Sequence, residues 1–282
     1  MAATFGPAGN SESFYLEKQK SSAEAPAWLK AKGLDAYEYA AGNGITGSLE
    51  SFSKIGKAAK DHGILLSFHT PYFISLSGIE EEKRLKSLSY IKASVQAAEA
   101  MGADTLVIHA GSASKISREE ALALAGDTLL RSLNDNPDTA LRFGVETMGK
   151  KNQLGTLEEV IALCKLDRRL YPVVDFGHLN ARDCGRFYTW EDYARVFDEI
   201  AKQLTPEKAD TLHCHFSKIE YTASGEKRHL TFTDTQFGPD FEPLMEAIFR
   251  LGVSPRIICE SAGSMAEDAL QLKQYYHALC NQ

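Results

Sequence analysis

The pattern that most constrains this chain is a strict alternation of short β-rich runs with longer amphipathic stretches, repeated eight times over 282 residues. Runs that pattern as strands lie at 3–6, 35–39, 64–69, 105–109, 141–146, 172–176, 210–215 and 256–260. Helical patterns lie near 24–32, 48–61, 80–101, 117–132, 156–165, 190–203, 241–251 and 265–280. Because each helix returns the chain to the edge where the next strand starts, such alternation predicts a parallel sheet. The count of eight favours a closed (β/α)8 barrel, also called a TIM barrel, over an open sheet, in one α/β domain that covers 1–282.

Two of the predicted helices open with a capping signature. Ser117 is followed by Glu120, and Thr156 by Glu159, so that a hydroxyl and a carboxylate can exchange hydrogen bonds with the first helical turn. The longest irregular stretch, about 218–240, is polar and is expected to form a substrate-binding loop.

Potential metal ligands stand at the ends of six consecutive predicted strands. They are His69, His109, Glu146, Asp175 with His178 three residues on, His213 with His215, and Glu260. The carboxyl ends of barrel strands meet at one face, where barrel enzymes carry their active sites. Because side chains alternate across a strand, His213 and His215 share one face and Cys214 lies on the other. The sequence therefore predicts a polynuclear metal site on the catalytic face of the barrel.

Each of these residues alone has an ordinary structural explanation. A lone strand-end histidine is more often a hydrogen-bonded structural residue, and a lone carboxylate is more often a helix N-cap or a loop ion pair. Together, however, buried carboxylates and imidazoles are costly unless a cation or hydrogen bonds neutralise them, which makes a metal cluster the simplest explanation. Mixed His, Asp and Glu ligands without cysteine suit Zn²⁺, Mn²⁺ or Fe²⁺ better than Ca²⁺ or Mg²⁺, and the number of imidazoles favours zinc.

Charge, cysteine content and hydropathy weigh against a nucleic-acid-binding surface, a disulfide-rich protein and a membrane protein. The net charge of −7, from 31 Lys and Arg against 38 Asp and Glu, weighs against a broad nucleic-acid-binding face but decides little, since clustered ligands lower it. The five cysteines are scattered and form no Cys-x-x-Cys, so neither a disulfide framework nor a zinc knuckle is expected. Without a signal-peptide pattern or an apolar run of about 18 residues, the protein is expected to be cytoplasmic and to have no membrane partner.

At the predicted metal site the chain resembles the endonuclease IV family, the zinc-dependent apurinic/apyrimidinic (AP) endonucleases of the xylose isomerase-like barrel superfamily. The resemblance is carried by His69-Thr-Pro-Tyr72, Ile108-His-Ala-Gly-Ser112, Val145-Glu-Thr-Met-Gly149 with Leu154-Gly155, Asp175-Phe-Gly-His178, His213-x-x-x-Ser217-Lys218, Arg228-His229 and Glu260. It runs from about the third to the eighth strand, and the order and spacing make it specific as a set. It implies DNA binding and DNA repair: a trinuclear zinc centre that hydrolyses the DNA backbone at an abasic site.

The resemblance also implies a role for each residue. It assigns His69, His109 and Glu146 to the first zinc. It assigns Glu146, Asp175, His213 and Glu260 to the second, with Glu146 bridging, and His178 and His229 to the third. Glu146 and Glu260 become the catalytic carboxylates, and the implied substrate-binding residues are Tyr72, His215, Lys218 and Arg228. The two cations among them would face the phosphate.

Three positions depart from the family pattern. Lys227 stands where the family has an aspartate ligand two residues before the last histidine, so Glu226, Asp234 or His215 would have to replace it, and the number of zinc ions is two or three. No Arg or Lys lies between Lys32 and Lys54, although the family uses an arginine in this loop to enter the DNA stack. Position 110 is alanine where the family has proline.

A sugar isomerase or epimerase of the same superfamily is the alternative. Such enzymes use one or two divalent ions, Mn²⁺ included, on a quartet that matches Glu146, Asp175, His213 and Glu260. In this alternative Glu146 and Glu260 would move a proton beside a metal-polarised carbonyl. The acidic net charge, Lys227 and the missing arginine favour this alternative, whereas the additional histidines favour the hydrolase. A barrel that binds a ligand without catalysis is the third hypothesis. The chain is expected to be a monomer.

Overall fold

The computed structural model describes residues 2–281. The strands in this range are β1 Thr4–Pro7, β2 Ala36–Ala40, β3 Leu65–His69, β4 Thr105–His109, β5 Arg142–Glu146, β6 Leu170–Asp175, β7 His213–Phe216, β8 Ile219–Thr222, β9 Gly225–His229 and β10 Arg256–Cys259. Eight of them form one parallel sheet in the order β1-β10-β7-β6-β5-β4-β3-β2. The two end strands also meet, because the Asp35 N–H donates to Phe5 O at 2.9 Å and the Gly9 N–H donates to Glu38 O at 2.8 Å. The sheet thus closes into a TIM barrel, and the predicted fold is confirmed.

Helices surround the barrel and follow the strands in alternation. They are α1 Glu12–Leu16, α2 Ala25–Ala31, α3 Leu49–His62, α4 Glu81–Met101, α5 Arg118–Asp135, α6 Leu157–Cys164, α7 Phe176–Arg182, α8 Trp190–Gln203, α9 Pro206–Asp210, α10 Glu242–Leu251 and α11 Met265–Cys280, with a 3-10 turn at Ser22–Glu24. All eight predicted helices and all eight predicted strands are present, with ends within three residues of the predicted ones. Within residues 2–281, no helix is both long enough and apolar enough to span a membrane.

The helix caps follow the sequence signatures. The Glu159 N–H donates to Thr156 Oγ1 at 3.2 Å and the Thr156 N–H donates back to Glu159 Oε2 at 3.0 Å, which completes the predicted capping box. At the start of α5 only the first half forms, from the Glu120 N–H to Ser117 Oγ at 3.2 Å. Arg118 pairs with Glu159 at 2.7 Å and ties the starts of the two helices together.

The region 218–240 was expected to be irregular but contains the antiparallel hairpin β8–β9. This hairpin is fixed to the loop after β5, because the Glu226 N–H donates to Gly149 O and the Lys151 N–H donates to Ser224 O, both at 3.1 Å. The two backbones approach so closely that a Cβ at Gly225, where φ is +92°, would lie 2.2 Å from Gly149 O. Glycine is therefore required at this point of contact.

The interior of the barrel is unusually polar. Barrel interiors are normally packed with branched apolar side chains. Here Glu38, Ser67 and His215 are completely buried and His213 is 7 % exposed, while Phe143 and Val145 belong to the apolar layer of the fold. A buried polar group must be hydrogen-bonded or ionically paired, so these interior residues depend on one another and on the site above them.

Candidate metal centre

A cleft of about 330 Å³ opens at the carboxyl ends of the barrel strands. It is lined by His69, Tyr72, His109, Met148, Lys150, Gln153, His178, Glu226, His229 and Glu260. Below its floor lie Glu146 and Asp175, which have no exposed surface. The structure therefore brings to one place the predicted ligands of β3, β4, β5 and β6, His178 of α7, His229 of the hairpin and Glu260, which follows β10.

The first ligand group consists of His69, His109 and Glu146. Glu146 Oε2 lies 3.2 Å from the Nε2 atoms of both histidines. His69 Nδ1 donates to Thr70 O at 2.8 Å, so in the neutral ring Nε2 carries a lone pair that faces the carboxylate. Burial lowers the pKa of His109, whereas for His69 the effect of burial is outweighed by Glu146, which raises its pKa. Two acceptors that face each other need a shared proton or a cation.

The second group is built around the other oxygen of Glu146. Glu146 Oε1 lies 3.0 Å from His215 Nδ1, and Glu260 Oε1 lies 3.4 Å from the same nitrogen. Asp175 uses Oδ1 to accept the His178 N–H at 2.8 Å, which caps α7. Asp175 Oδ2 is buried without a hydrogen-bond partner, because His178 Nδ1, which lies 3.3 Å away, donates to Thr147 O instead. A buried carboxylate oxygen without a donor, beside two further carboxylates, is an arrangement that a divalent cation fits.

The pKa values reflect this concentration of charge. Burial would raise the pKa of Glu146, but His215, His109 and His69 hold it well below its ordinary value. Burial would lower the pKa of His215, but Glu38, Glu260 and Glu146 raise it well above. Protons on the imidazoles thus balance the carboxylates when no metal is present, and metal binding would release them.

The third group consists of His178, His229 and Glu260. His178 Nδ1 donates to Thr147 O at 2.9 Å, so in the neutral ring Nε2 carries the lone pair that could bind a metal. That Nε2 lies 3.5 Å from Glu226 Oε2, and Glu226 lines the cleft. The Lys227 ammonium pairs instead with Glu220 at 2.5 Å, and its side chain is 56 % exposed. Lys227 therefore does not place its charge in the cleft, and Glu226 is the acid that stands near the position of the missing family ligand.

His213 lies one layer deeper than predicted, and the grouping is corrected accordingly. In the pairing of β6 with β7, His215 stands opposite Asp175, whereas His213 stands opposite Val173. His213 Nε2 contacts Glu38 Oε2 at 3.0 Å instead of Glu146 or Glu260. Strand alternation places both histidines on one face, but only His215 reaches the level of the ligands.

Of the four predicted substrate-binding residues, Tyr72 lines the cleft and the other three do not. Tyr72 lies at the cleft, 56 % exposed, with its ring stacked on His109 at 5.2 Å between centroids. His215 is completely buried and cannot touch a substrate. Lys218 is 8 % exposed and is held by Asp234 O at 2.7 Å and Asp240 Oδ1 at 3.0 Å, so it is an internal anchor.

Arg228 does not line the cleft, because its guanidinium pairs with Glu220 at 2.6 Å. The cation that does line the cleft is Lys150, which the sequence analysis missed. Its only signal was its position, four residues after Glu146 in the loop that follows β5. Asp234 accepts the backbone N–H groups of residues 236 and 237 and does not replace the missing ligand.

Glu38 is the second residue that sequence reasoning missed. It lies in β2, between Tyr37 and Tyr39, with no exposed surface. A glutamate inside a strand that is otherwise buried was the available signal, because a buried carboxylate needs partners.

Comparison with known proteins places the chain in a family. Residues 26–275 match the family described as xylose isomerase-like TIM barrel, and the chain belongs to that family. An uncharacterized protein of Methanocaldococcus jannaschii is 30% identical over 229 residues, which covers 79% of this chain and 81% of that protein. A protein of Carboxydothermus hydrogenoformans described as probable endonuclease 4 is 30% identical over 222 residues, 74% of each chain. The predicted resemblance to endonuclease IV is thereby confirmed.

Solved structures described as an endonuclease and as an epimerase-like protein share the fold. Endonuclease IV from Thermus thermophilus superposes with a TM-score of 0.70 at 19% identity, with 99% of each chain covered. A D-tagatose 3-epimerase-like protein superposes with a TM-score of 0.71 at 17% identity, over 99% of this chain and 98% of the other. At these identities the likeness concerns the fold alone.

Proposed function

We propose that this protein is a zinc-dependent phosphodiester hydrolase that cleaves the DNA backbone at abasic sites. The observation that carries the proposal is the pair His69 and His109 around Glu146 Oε2, beside a second group around Glu146 Oε1. A single metal would leave the first group without a role. The relatives described as probable endonuclease 4 support the same activity.

The donor set suits two or three zinc ions. His69, His109 and Glu146 would hold one, and Glu146, Asp175, His215 and Glu260 the second. His178, His229 and Glu226 are available for a third. When bound, closely spaced divalent ions supply a hydroxide at neutral pH and stabilise negative charge on a phosphodiester.

The protein's own side chains would bind the substrate and handle protons. Lys150 is the lysine at the cleft and would pair with a backbone phosphate. The Tyr72 ring is exposed beside the ligands and would stack on a base or sugar. Burial and the nearby carboxylates raise the pKa of Tyr72, so its hydroxyl stays neutral. Glu260, which lines the cleft, would exchange a proton with water.

The test is incision of a duplex that carries one abasic site, with the undamaged duplex as control. The zinc-loaded protein is expected to cut on the 5′ side of the abasic site and to lose the activity with a chelator. Uncut abasic DNA under conditions in which a known AP endonuclease cleaves it would refute the proposal.

A sugar epimerase is the second candidate, and the size of the cleft favours it. About 330 Å³ lies at the lower end of the range for small-molecule sites and fits a monosaccharide. Glu260, which lines the cleft, would then exchange a proton with the sugar beside a polarised carbonyl, and the completely buried Glu146 would serve as a metal ligand. Interconversion of ketohexose epimers, followed by NMR on the metal-loaded protein, tests this candidate directly.

A further inference from the structure

We propose that Glu38 is a positioning residue of the metal centre, which holds His215 through Nε2 so that Nδ1 is presented as a ligand between Glu146 and Glu260. The inference rests on the metal-binding part of the proposed function and is independent of the substrate.

The contacts of Glu38 fix its carboxylate inside the barrel. Glu38 Oε2 accepts the Ser67 hydroxyl at 2.8 Å and lies 3.0 Å from His213 Nε2. Glu38 Oε1 lies 3.0 Å from His215 Nε2. Among residues 2–281, both of these last two atoms are buried and neither has a hydrogen-bond partner, so the ion-pair contact of 3.0 Å between them is the polar contact that each makes. Each is therefore the only partner that the other can have.

The opposite nitrogen of His215 faces the ligand groups. Nδ1 lies 3.0 Å from Glu146 Oε1 and 3.4 Å from Glu260 Oε1. Without a metal, a proton on Nδ1 satisfies its contact with Glu146 Oε1. When Nδ1 binds a metal, the one proton of the neutral imidazole has to lie on Nε2, where Glu38 Oε1 is the acceptor within reach. A carboxylate that holds the distal nitrogen of a metal-binding histidine is the usual support for such a ligand.

Glu38, His213 and His215 are also close enough together to hold an ion of their own. The contacts argue against this, because Glu38 Oε2 is already engaged by Ser67 and His213. The two roles differ in the metal count of a variant. A positioning residue changes the affinity of one site, whereas a ligand of a separate ion removes that ion.

The experiment compares zinc dissociation constants of the wild-type chain, Glu38→Gln, Glu38→Asp and Ser67→Ala, by competition with a chromophoric chelator. The Glu38 variants are expected to bind one zinc roughly 10–100-fold more weakly. The Co²⁺-loaded forms should show a changed visible spectrum, because an imidazole ligand is misplaced. Ser67→Ala is the matched control: it removes a hydrogen bond to Glu38 Oε2 but leaves His215 untouched, so its affinities should stay within about threefold of wild type. Thermal melting confirms that each variant folds.

Wild-type affinities and an unchanged Co²⁺ spectrum in a folded Glu38 variant would overturn the inference. Loss of a whole ion with the other affinities unaltered would overturn it in favour of a separate metal site. Glu38→Asp keeps the negative charge but moves the carboxylate away from His215, because its side chain is shorter. This variant therefore tests the positioning role if Glu38→Gln fails to fold. A wild-type chain that binds no metal would refute the proposed function as well, whereas the other outcomes leave that function standing.

Discussion

At the scale of single residues, Glu146 is the junction of the site. Its Oε2 faces His69 and His109, and its Oε1 faces His215, all within 3.2 Å. A carboxylate that divides its oxygens in this way would be available to two ions, as a two-metal hydrolase requires.

Replacing His109 by asparagine tests the first ligand group alone. His109→Asn removes one imidazole from that group and leaves Asp175, His215 and Glu260 intact. The variant is expected to lose one zinc and to cleave a phosphodiester at least roughly a hundredfold more slowly. His277→Asn, an exposed histidine in the last helix, should change neither quantity. Undiminished cleavage by His109→Asn would mean that the first group has no part in the reaction.

Lys150 is expected to bind phosphate through charge. Lys150→Gln should raise KM for DNA, leave kcat near the wild-type value, and reduce the salt dependence of binding by about one unit of slope. Lys227→Gln is the matched control, because that lysine is exposed and paired with Glu220 on the hairpin. Equal effects of the two variants in a salt titration would argue against a specific role for Lys150.

At the scale of elements, the hairpin β8–β9 brings two residues to a barrel whose strands supply the rest of the site. Glu226 and His229 reach the cleft only because the hairpin is attached to the loop after β5. The attachment depends on two glycine backbones in contact, at Gly149 and Gly225. A change in the hairpin should therefore affect the third ligand group without affecting the first two.

Gly225→Ala is expected to displace the hairpin. The added Cβ would lie 2.2 Å from Gly149 O at a φ of +92°, so the strand must shift. The variant should lose the third group's contribution to metal binding and activity while the remaining ions stay bound. Gly63→Ala is the control, because Gly63 also has a positive φ, +66°, but nothing lies within 4 Å of its added Cβ. Gly63→Ala should lower the melting temperature and leave metal content unchanged, and metal loss in both variants would contradict the hairpin's role.

The elements show what a sequence can and cannot predict here. Period and capping signals located the eight strands of the barrel and eight of the helices around it, because burial on the outer face of the strands dictates apolar alternation. The helix α7 was missed because Asp175 is at once a strand end and the N-cap of that helix, which leaves no loop to mark its start. The position of His213 below the ligands was not predicted, because strand alternation specifies which face of the sheet a side chain lies on but not its height along the barrel axis. That height is set by the register of β7 with β6.

At the scale of the whole molecule, the centre couples pH to stability in opposite directions with and without metal. Burial would lower the pKa of His178, but Asp175, Glu226, Glu146 and Glu260 raise it to about 9. The protonated His178 imidazole stabilises the folded state through these carboxylates. This stabilisation is complete at pH values below the unfolded pKa near 6.5 and is lost as the pH rises through about 9. The raised pKa values of His69 and His215 act in the same sense.

The metal-free protein is therefore expected to melt at a lower temperature at pH 9 than at pH 6.5, by on the order of 5 °C. The lowered pKa values of His109 and His213 act in the opposite sense but below pH 6.5, outside this window. Stabilisation by added zinc should grow over the same range, because zinc competes with the protons. Scanning calorimetry measures the melting temperature against pH with chelator and with zinc. The same change of melting temperature with pH in both conditions would contradict the proposed competition between zinc and protons.

The measurement that tests the central claim most directly is the number of metal ions per chain, determined by mass spectrometry of elements on protein purified without chelators. The account predicts two or three zinc ions in the wild-type chain and one fewer in His109→Asn. One ion in both proteins, or a single Mn²⁺, would contradict the claim that Glu146 joins two metal sites and would favour the epimerase.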